Sequence, residues 1–398
     1  MSTDSHRASH PALLPNGLTD LVPPVAAREW QAVHQLIDTY TGFGYMLVKP
    51  PLMEFEAGLL VGPGAALGAQ TFRLMDPISR QMLGLRADIT AQIARIAGSR
   101  LQKSARPLRL AYAGDVVRVS GTQLRPERQF CQVGAELIGA MMPSADAEIM
   151  VMAVTALQSL DIANISLDLC LPTLLPYFLR ESGLEGAALD DLEDAVRRRD
   201  REAVQQSAAA HKETIAALIA ASGPIDEALA ALKSIDMPAG LRGDLERLYA
   251  VVEVLHRDLP TLKITLDPLE HRGFEYQTGL SFTLFAKGVR GELGRGGRYR
   301  SAAATLKDDS GNGRIGEPAV GFTLFMDSIM RGLPHDEVEQ RVLVPAELPL
   351  AERLALMGEG WVVVRALEGG LNDAALIAAA GEQHCDYRLR DGAPVKIQ

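Results

Sequence analysis

The pattern of apolar and polar positions changes period several times along the chain, and each change predicts an element. Trp30, Val33, Ile37 and Tyr40 recur at helical spacing behind Pro23 and Pro24, with Gly42 and Gly44 as the stop. An amphipathic helix therefore leads into a strand over 45–48, which Pro50 and Pro51 end. Residues 55–68 are rich in Gly and Ala with little period and read as a loop with short helical pieces. The runs 71–75 and 81–85 predict a hairpin around Asp76, Pro77 and Ser79, and 88–100 returns to helix. A β-branched and aromatic run over 108–119 predicts a strand. Beyond a polar, arginine-rich loop, 129–138 sets Phe130, Val133, Ala135 and Leu137 against Gln132, Gly134 and Glu136. A period of two puts Gln132, Gly134 and Glu136 on one face. On a strand that otherwise looks central, two polar side chains and a glycine facing one way would be costly without partners, so that face reads either as the border of a pocket or as a solvated sheet face.

Further on, 144–160 reads as a helix, with Asp146 and Glu148 suiting its positive end, and 165–171 as an apolar strand. Between 172 and 260 the composition shifts to Ala, Leu, Glu and Arg, with helical periodicity over 189–204, 208–219, 225–232 and 241–255, which predicts an all-helical insertion. Basic runs such as Arg197 to Arg199 read as a solvated helix face rather than a binding patch. Strands resume at 262–266 and 280–286. The stretch 291–300, GELGRGGRYR, reads as a glycine-rich turn, a weak signal shared by phosphate cradles and tight hairpins. Residues 308–317 are polar and expected to be mobile, and 319–331 is an apolar strand running into a helix. The last 68 residues alternate short strands and helices as a small α/β unit.

Composition excludes more than it selects. The 398 residues are 47% hydrophobic and 23% charged, which suits a soluble globular protein of two or three domains. No apolar run reaches the roughly 18 to 20 residues of a spanning helix, and the first residues form no apolar signal region, so a cytoplasmic protein without membrane contact is expected. Cys131, Cys170 and Cys385 are scattered in apolar runs and read as buried thiols; no metal or cofactor is expected. A formal net charge of -10 makes a nucleic-acid partner unlikely on electrostatic grounds, although a local basic face remains open.

Four passages carry a resemblance: LRADITAQIAR (85–95), GDVVRVSGTQLRPERQFCQVGAE (114–136), HRGFEYQTG (271–279), and GRGGRYR with AVGFTLFMDSI (294–300 and 319–329). In this order, with a helical insertion between the second and third, they resemble the class II aminoacyl-tRNA synthetase core of the histidyl branch. The resemblance implies an α+β fold, an antiparallel sheet flanked by helices. Its boundaries are a mobile tail over 1–10, a core over 11–171 and 261–332, the insertion over 172–260, and the C-terminal unit over 333–398. It also implies a homodimer formed through the helix and strand of 24–48. Carried over by position, Asp88 and Thr90 stand at a histidine amino group. Gln132, Glu136 and Tyr299 line the pocket, Arg272 is the signature arginine, and Arg118 is the phosphate-binding arginine. The family's paired tyrosines appear as Tyr276 and Gln277.

The departures point to one group within this superfamily. An acidic residue expected two positions after Arg118 is Ser120, the second ATP-binding arginine is Ser328, and a glycine of the same helix is Phe325. Losing a charge-assisted contact costs about 1.5 to 3 kcal/mol, so adenylation should be lost while the amino-acid pocket is kept. That combination resembles the ATP phosphoribosyltransferase regulatory subunits. It implies a non-catalytic partner of a short-form catalytic subunit, needed for the first step of histidine biosynthesis and allowing feedback by histidine. The alternatives are a diverged histidyl-tRNA synthetase or other amino-acid-activating enzyme, with Arg125, Arg128 or Arg331 standing in near the adenosine, and a tRNA-sensing module.

Overall fold

A computed structural model describes residues 13–60, 62–123, 125–271, 273, 276–301, 316–334 and 340–397. The N-terminal tail, Arg272 and most of the polar 308–317 segment lie outside the described residues. Two compact units divide the chain, Met1–Leu333 and Pro334–Gln398.

In the first unit the amphipathic helix α1 (Val25–Gly42) runs into β1 (Met46–Leu47), and Leu36 and Tyr40 are its innermost residues. A small sheet follows, with β2 (Met53–Phe55) and β3 (Arg73–Met75) on either side of β4 (Met82–Leu85). The turn between β3 and β4 is tied by Asp76, which accepts the backbone N–H groups of Ile78 and Ser79 at 3.1 Å each. Helix α3 (Thr90–Gly98) comes after the short helix α2 (Glu56–Leu59) and leads to β5 (Leu108–Val117) and β6 (Gln129–Ile138). Helix α4 (Pro143–Ser159) and β7 (Ile165–Cys170) complete the first half.

Six α-helices and one short 3-10 helix between Leu174 and Asp258 follow, interrupted by the two-residue strand β8 (Gly223–Pro224). Their buried residues, among them Val196, Ile215, Leu248 and Leu255, join the core beneath the large sheet. The chain then returns through β9 (Lys263–Asp267), β10 (Gln277–Ala286), β11 (Gly294–Ser301) and β12 (Glu317–Phe325), the last running into a helix, Met326–Gly332.

Nine of these strands form one sheet in the order β1-β5-β6-β12-β11-β10-β7-β9-β8. The strands from β5 to β7 pair antiparallel, while β1 with β5 and β7 with β9 are parallel, so the sheet is mixed rather than antiparallel throughout. Side chains on one face of β6, Val133, Ala135 and Leu137, pack into a core with α1 and α4. On the other face α3 covers Leu110, Tyr112 and Phe130 through Ile89, Ile93 and Ala97.

The glycine-rich stretch 291–300 is not a turn. Gly294 to Ser301 is a central strand, hydrogen-bonded to β10 on one side and β12 on the other. Its glycines answer to space: a Cβ on Gly296 would lie 2.3 Å from the carbonyl oxygen of Gly321 and 2.7 Å from the ring of Phe282.

In the second unit, strands β13 (Arg341–Val344), β14 (Val362–Arg365), β15 (Tyr387–Arg390) and β16 (Ala393–Lys396) pair in the order β14-β13-β15-β16. Helices Leu350–Gly358 and Asp373–Glu382 cover it through Leu356, Leu376 and Ala380. No helix among the described residues is long and apolar enough to cross a membrane.

Candidate functional site

Cross-strand register builds the pocket. Glu136 on β6 stands opposite Leu110 of β5 and Gly321 of β12, and beyond Gly321 the row continues through Gly297 of β11 to Ser281 of β10. A Cβ on Gly321 would sit 1.7 Å from Oε2 of Glu136, and one on Gly297 would sit 1.8 Å from Oε1 of Gln277. Both glycines thus leave bare backbone over which a neighbour's longer side chain can lie. The next row repeats the device, because Tyr112, Gly134 and Thr323 are successive partners across β5, β6 and β12. The Tyr112 ring passes over Gly134, where a Cβ would meet its hydroxyl at 2.5 Å, and that hydroxyl ends 2.7 Å from Oγ1 of Thr323.

A buried acid lies at the centre. Tyr299 donates to Oε2 of Glu136 at 2.8 Å and Tyr112 to Oε1 at 3.5 Å. Glu136 is 1% exposed. Burial pushes its carboxyl up to about 8, with Asp88 adding to the rise, while the hydroxyls of Tyr299, Thr90 and Tyr112 pull the other way. The same burial raises the Tyr112 and Tyr299 phenols well above their ordinary range.

Asp88 and Thr90 reach this floor from the entry to α3. Oδ1 of Asp88 accepts the N–H of Thr90 at 2.9 Å, and Oδ2 accepts from Nε2 of Gln132 at 3.0 Å. Gln132 in turn accepts the N–H of Ile89 at 3.2 Å, so one amide fastens the helix entry to the strand. Oγ1 of Thr90 lies 3.4 Å from the Tyr112 hydroxyl. On the far side the Tyr276 ring meets Tyr299 edge to face at 6.2 Å, Nε2 of Gln277 donates to Tyr276 at 3.4 Å, and Ser281 hydrogen-bonds Gln277.

The structure therefore gathers Asp88, Thr90, Gln132, Glu136, Tyr276, Gln277 and Tyr299 in one place. Sequence reading missed Tyr112, Thr323 and Ser281, whose roles depend on which glycine lies opposite them. Arg118 stands apart from the Glu136 cluster, with its Nε donating to the carbonyl of Ala87 at 3.3 Å. Burial lowers its pKa, and Asp88 opposes that shift.

Arg118 borders a second cleft of about 270 Å³, which it shares with Ser120, Thr122, Arg125, Glu292, Arg295 and Ser328. Here the lining residues bind one another. The Arg125 guanidinium lies 3.8 Å over the ring of Phe325 and 5.2 Å from that of Phe130. Its Nε donates to Asp327 at 2.9 Å, and Glu292 lies 3.8 Å away. Ser328 is 1% exposed and accepts from Arg331 at 3.0 Å and Arg125 at 3.5 Å. Arg128 is turned toward the carbonyls of Arg118 and Asn16. No group of three or more His, Cys, Asp or Glu among the described residues could hold a metal ion.

Fold and pocket together define a class II synthetase core of the histidyl type, and the histidyl-tRNA synthetase family model matches residues 17–329. The crystal structure of an ATP phosphoribosyltransferase regulatory subunit/histidyl-tRNA synthetase from Bacillus halodurans superposes with a TM-score of 0.77, covering 94% of this chain and 97% of that one at 23% identity. Histidyl-tRNA synthetase from Nostoc superposes at 0.76, covering 97% and 96% at 17% identity. Likeness at that identity speaks for the fold alone. Sequence goes further: the ATP phosphoribosyltransferase regulatory subunit of Rhodospirillum centenum is 49% identical over 396 residues, 100% of this chain and 99% of that protein. Its counterpart in Paramagnetospirillum magneticum is 47% identical over 97% of this chain and 98% of its own length. The chain belongs to the family of ATP phosphoribosyltransferase regulatory subunits.

Proposed function

We propose that this chain is a non-catalytic, cytoplasmic subunit that binds histidine and transmits its presence to an ATP phosphoribosyltransferase catalytic subunit of the short form. Likeness over the full length to proteins named as that regulatory subunit carries the reading. The pocket supports histidine as the ligand. Asp88 offers a carboxylate to an ammonium group, Arg118 offers a guanidinium to a carboxylate, as the resemblance expects of Arg272, and Glu136 with the hydroxyls of Tyr112 and Tyr299 offers hydrogen bonds to an imidazole.

Catalytic silence is supported by the second cleft, where Arg125 lies over the buried ring of Phe325 and Ser328 supplies no charge. A homodimer is supported by α1 and β1, because Trp30 is 62%, Met46 59% and Leu47 57% exposed, on the face of α1 away from the buried Ala32, Leu36 and Tyr40 and on both residues of β1. The test is to reconstitute the chain with a short-form catalytic subunit and follow phosphoribosyl transfer. Activity should rise on adding the chain and fall on adding histidine. Unchanged activity in both steps would refute the reading, and histidine-dependent exchange of pyrophosphate into ATP would replace it with that of an activating enzyme.

A further inference from the structure

Glu136 differs from the other carboxylates of the pocket region in its company. Asp88 has the amide of Gln132 and a backbone N–H, whereas the hydrogen-bond partners of Glu136 are hydroxyls from three separate elements. The ionisable groups facing it are Tyr112 from β5, Tyr299 from β11, Tyr276 ahead of β10, and Asp88 at the entry to α3. Thr323 and Gly321 face it from β12. None of these groups is basic; Arg272 lies outside the described residues. An ionised carboxylate fully removed from water beside phenols and a second acid is unfavourable, and the group takes a proton instead.

We propose that the pocket captures its ligand through one shared proton: Glu136 holds it in the empty site and passes it to the ring nitrogen of histidine, so that the occupied site contains a carboxylate beside an imidazolium. The inference rests on histidine being the ligand and deepens that reading by fixing the charge state of both partners. Tyr299 donates to Oε2 at 2.8 Å, whereas the Tyr112 hydroxyl is 3.5 Å from Oε1 and 2.7 Å from Thr323, so the proton belongs on the less engaged Oε1. On binding, the O–H bond of Oε1 breaks, its electron pair stays on the carboxylate, and the nitrogen lone pair forms the new N–H bond. No proton is exchanged with solvent as long as the empty site is protonated and the free ring is neutral. Burial places the Glu136 carboxyl at about 8, and free imidazole titrates near 6.5, so that window runs from roughly pH 6.5 to 8. Above it, each histidine bound must bring a proton from solvent, and affinity should fall about tenfold per pH unit. A ring too weakly basic to accept the proton should bind poorly, which makes basicity, beyond shape, the property selected.

The test uses the full chain with its catalytic subunit. Histidine binding is measured by calorimetry at roughly pH 7.3 and pH 9, in pairs of buffers of different protonation heat. The expected result is no net proton at the lower pH. At the higher pH, uptake should exceed what the titration of histidine's own amino group supplies by nearly one proton, and Glu136→Gln should remove this excess. In infrared difference spectra, a protonated-carboxyl band of the empty protein should disappear when histidine is added. Triazolylalanine, which keeps the ring shape but is a much weaker base, should bind at least tenfold more weakly at the lower pH. Should Glu136→Gln bind too weakly to measure, the wild-type uptake and the infrared band decide alone. Histidine binding with no excess uptake and an unchanged band overturns the shared proton and leaves the ligand standing. Absence of binding by both chain and complex overturns the ligand and the shared proton together.

Discussion

The two clefts that meet at Arg118 are made from the same sheet and have opposite characters. In the first, glycines at 134, 297 and 321 hold the floor open, and polar side chains cross it with their hydrogen-bonding atoms aimed inward. In the second, side chains of the lining engage one another: Arg125 meets Asp327 and Phe325, Ser328 accepts from two arginines, and Arg295 pairs with Glu292 at 3.3 Å. A cleft whose arginines are already engaged gains little by admitting a nucleotide, since a new contact to them must replace an existing one. A cleft whose buried acid has only hydroxyls for company gains a counter-ion when a basic ligand enters. On the proposed reading, the first cleft would serve the amino acid, while the second is filled by its own side chains.

The contrast breaks most completely if the open floor is filled. Gly321→Ala would place a methyl 1.7 Å from the Glu136 carboxylate and 2.7 Å from the carbonyl oxygen of Ala135, and the second of these is backbone that cannot swing aside. Histidine affinity should fall at least about 100-fold, and folding should lose about 1 to 3 kcal/mol. Calorimetry and thermal melting check the two halves, and a variant that binds normally would mean that Glu136 does not lie where the ligand does.

Glu136→Gln separates binding from stability. Losing a hydrogen bond to a charged partner costs about 1.5 to 3 kcal/mol, so inhibition of the complex should move to about 10- to 150-fold higher histidine with assembly intact. Stability should move the other way. The folded carboxyl titrates at about 8 and an unfolded one near 4.3, so the unfolded chain releases a proton that the folded one retains between those values. Wild-type stability is therefore unpenalised below the lower value and declines as pH rises toward the upper one. The amide does not titrate, so the variant should melt higher than wild type at pH 7 by an amount worth up to about 4 kcal/mol, with the gap closing toward pH 4. A constant gap across that range would contradict the raised carboxyl.

How much of this was legible in the sequence follows from the kind of signal each residue carries. Gln132 and Glu136 stand out from the alternation of β6 because a polar side chain on the buried face of a central strand violates the expected pattern. Tyr112 does not, because an aromatic residue in a strand is ordinary until Gly134 is known to lie opposite. Thr323 and Ser281 are hidden for the same reason. The glycines of 291–300 mislead, since glycine ordinarily weakens a strand, and only the crowding from Phe282 and the backbone of Gly321 explains their place in one. The closing of the second cleft was half visible: Ser328 and Phe325 announce what is missing, whereas Arg125 sits in an aperiodic loop and reveals its stacked position only in three dimensions.

A smaller effect tests the missed residue. Tyr112→Phe removes the hydroxyl that joins Thr323, Thr90 and Glu136 but keeps the ring over Gly134. A neutral hydrogen bond is worth about 0.5 to 1.5 kcal/mol, so histidine affinity should fall roughly 2- to 12-fold with little change in melting temperature. Equal affinity for both proteins would move Tyr112 from the binding site to the core.

The smallest expected effect is the most pointed. Ser328→Arg restores the residue type that synthetases place in the second cleft, and if one missing charge accounted for silence it would restore some adenylation. Three features of the structure argue against rescue. Ser328 is 1% exposed, so a longer side chain must displace packed neighbours at about 1 to 3 kcal/mol. Its hydroxyl lies 3.0 Å from the Arg331 guanidinium and 3.5 Å from that of Arg125, so a third cation enters beside two. The face of Phe325 remains covered by Arg125, and the acidic position after Arg118 is still Ser120. Histidine-dependent exchange of pyrophosphate into ATP should stay at background in the variant as in the wild type, while histidine binding, made on the other side of Arg118, should be within about twofold of normal because additivity holds for sites without shared partners. Exchange above background in the variant would show that the second cleft is one substitution from activity and that Arg125 yields its place to a base. Loss of histidine binding would show instead that the two clefts are coupled through Arg118.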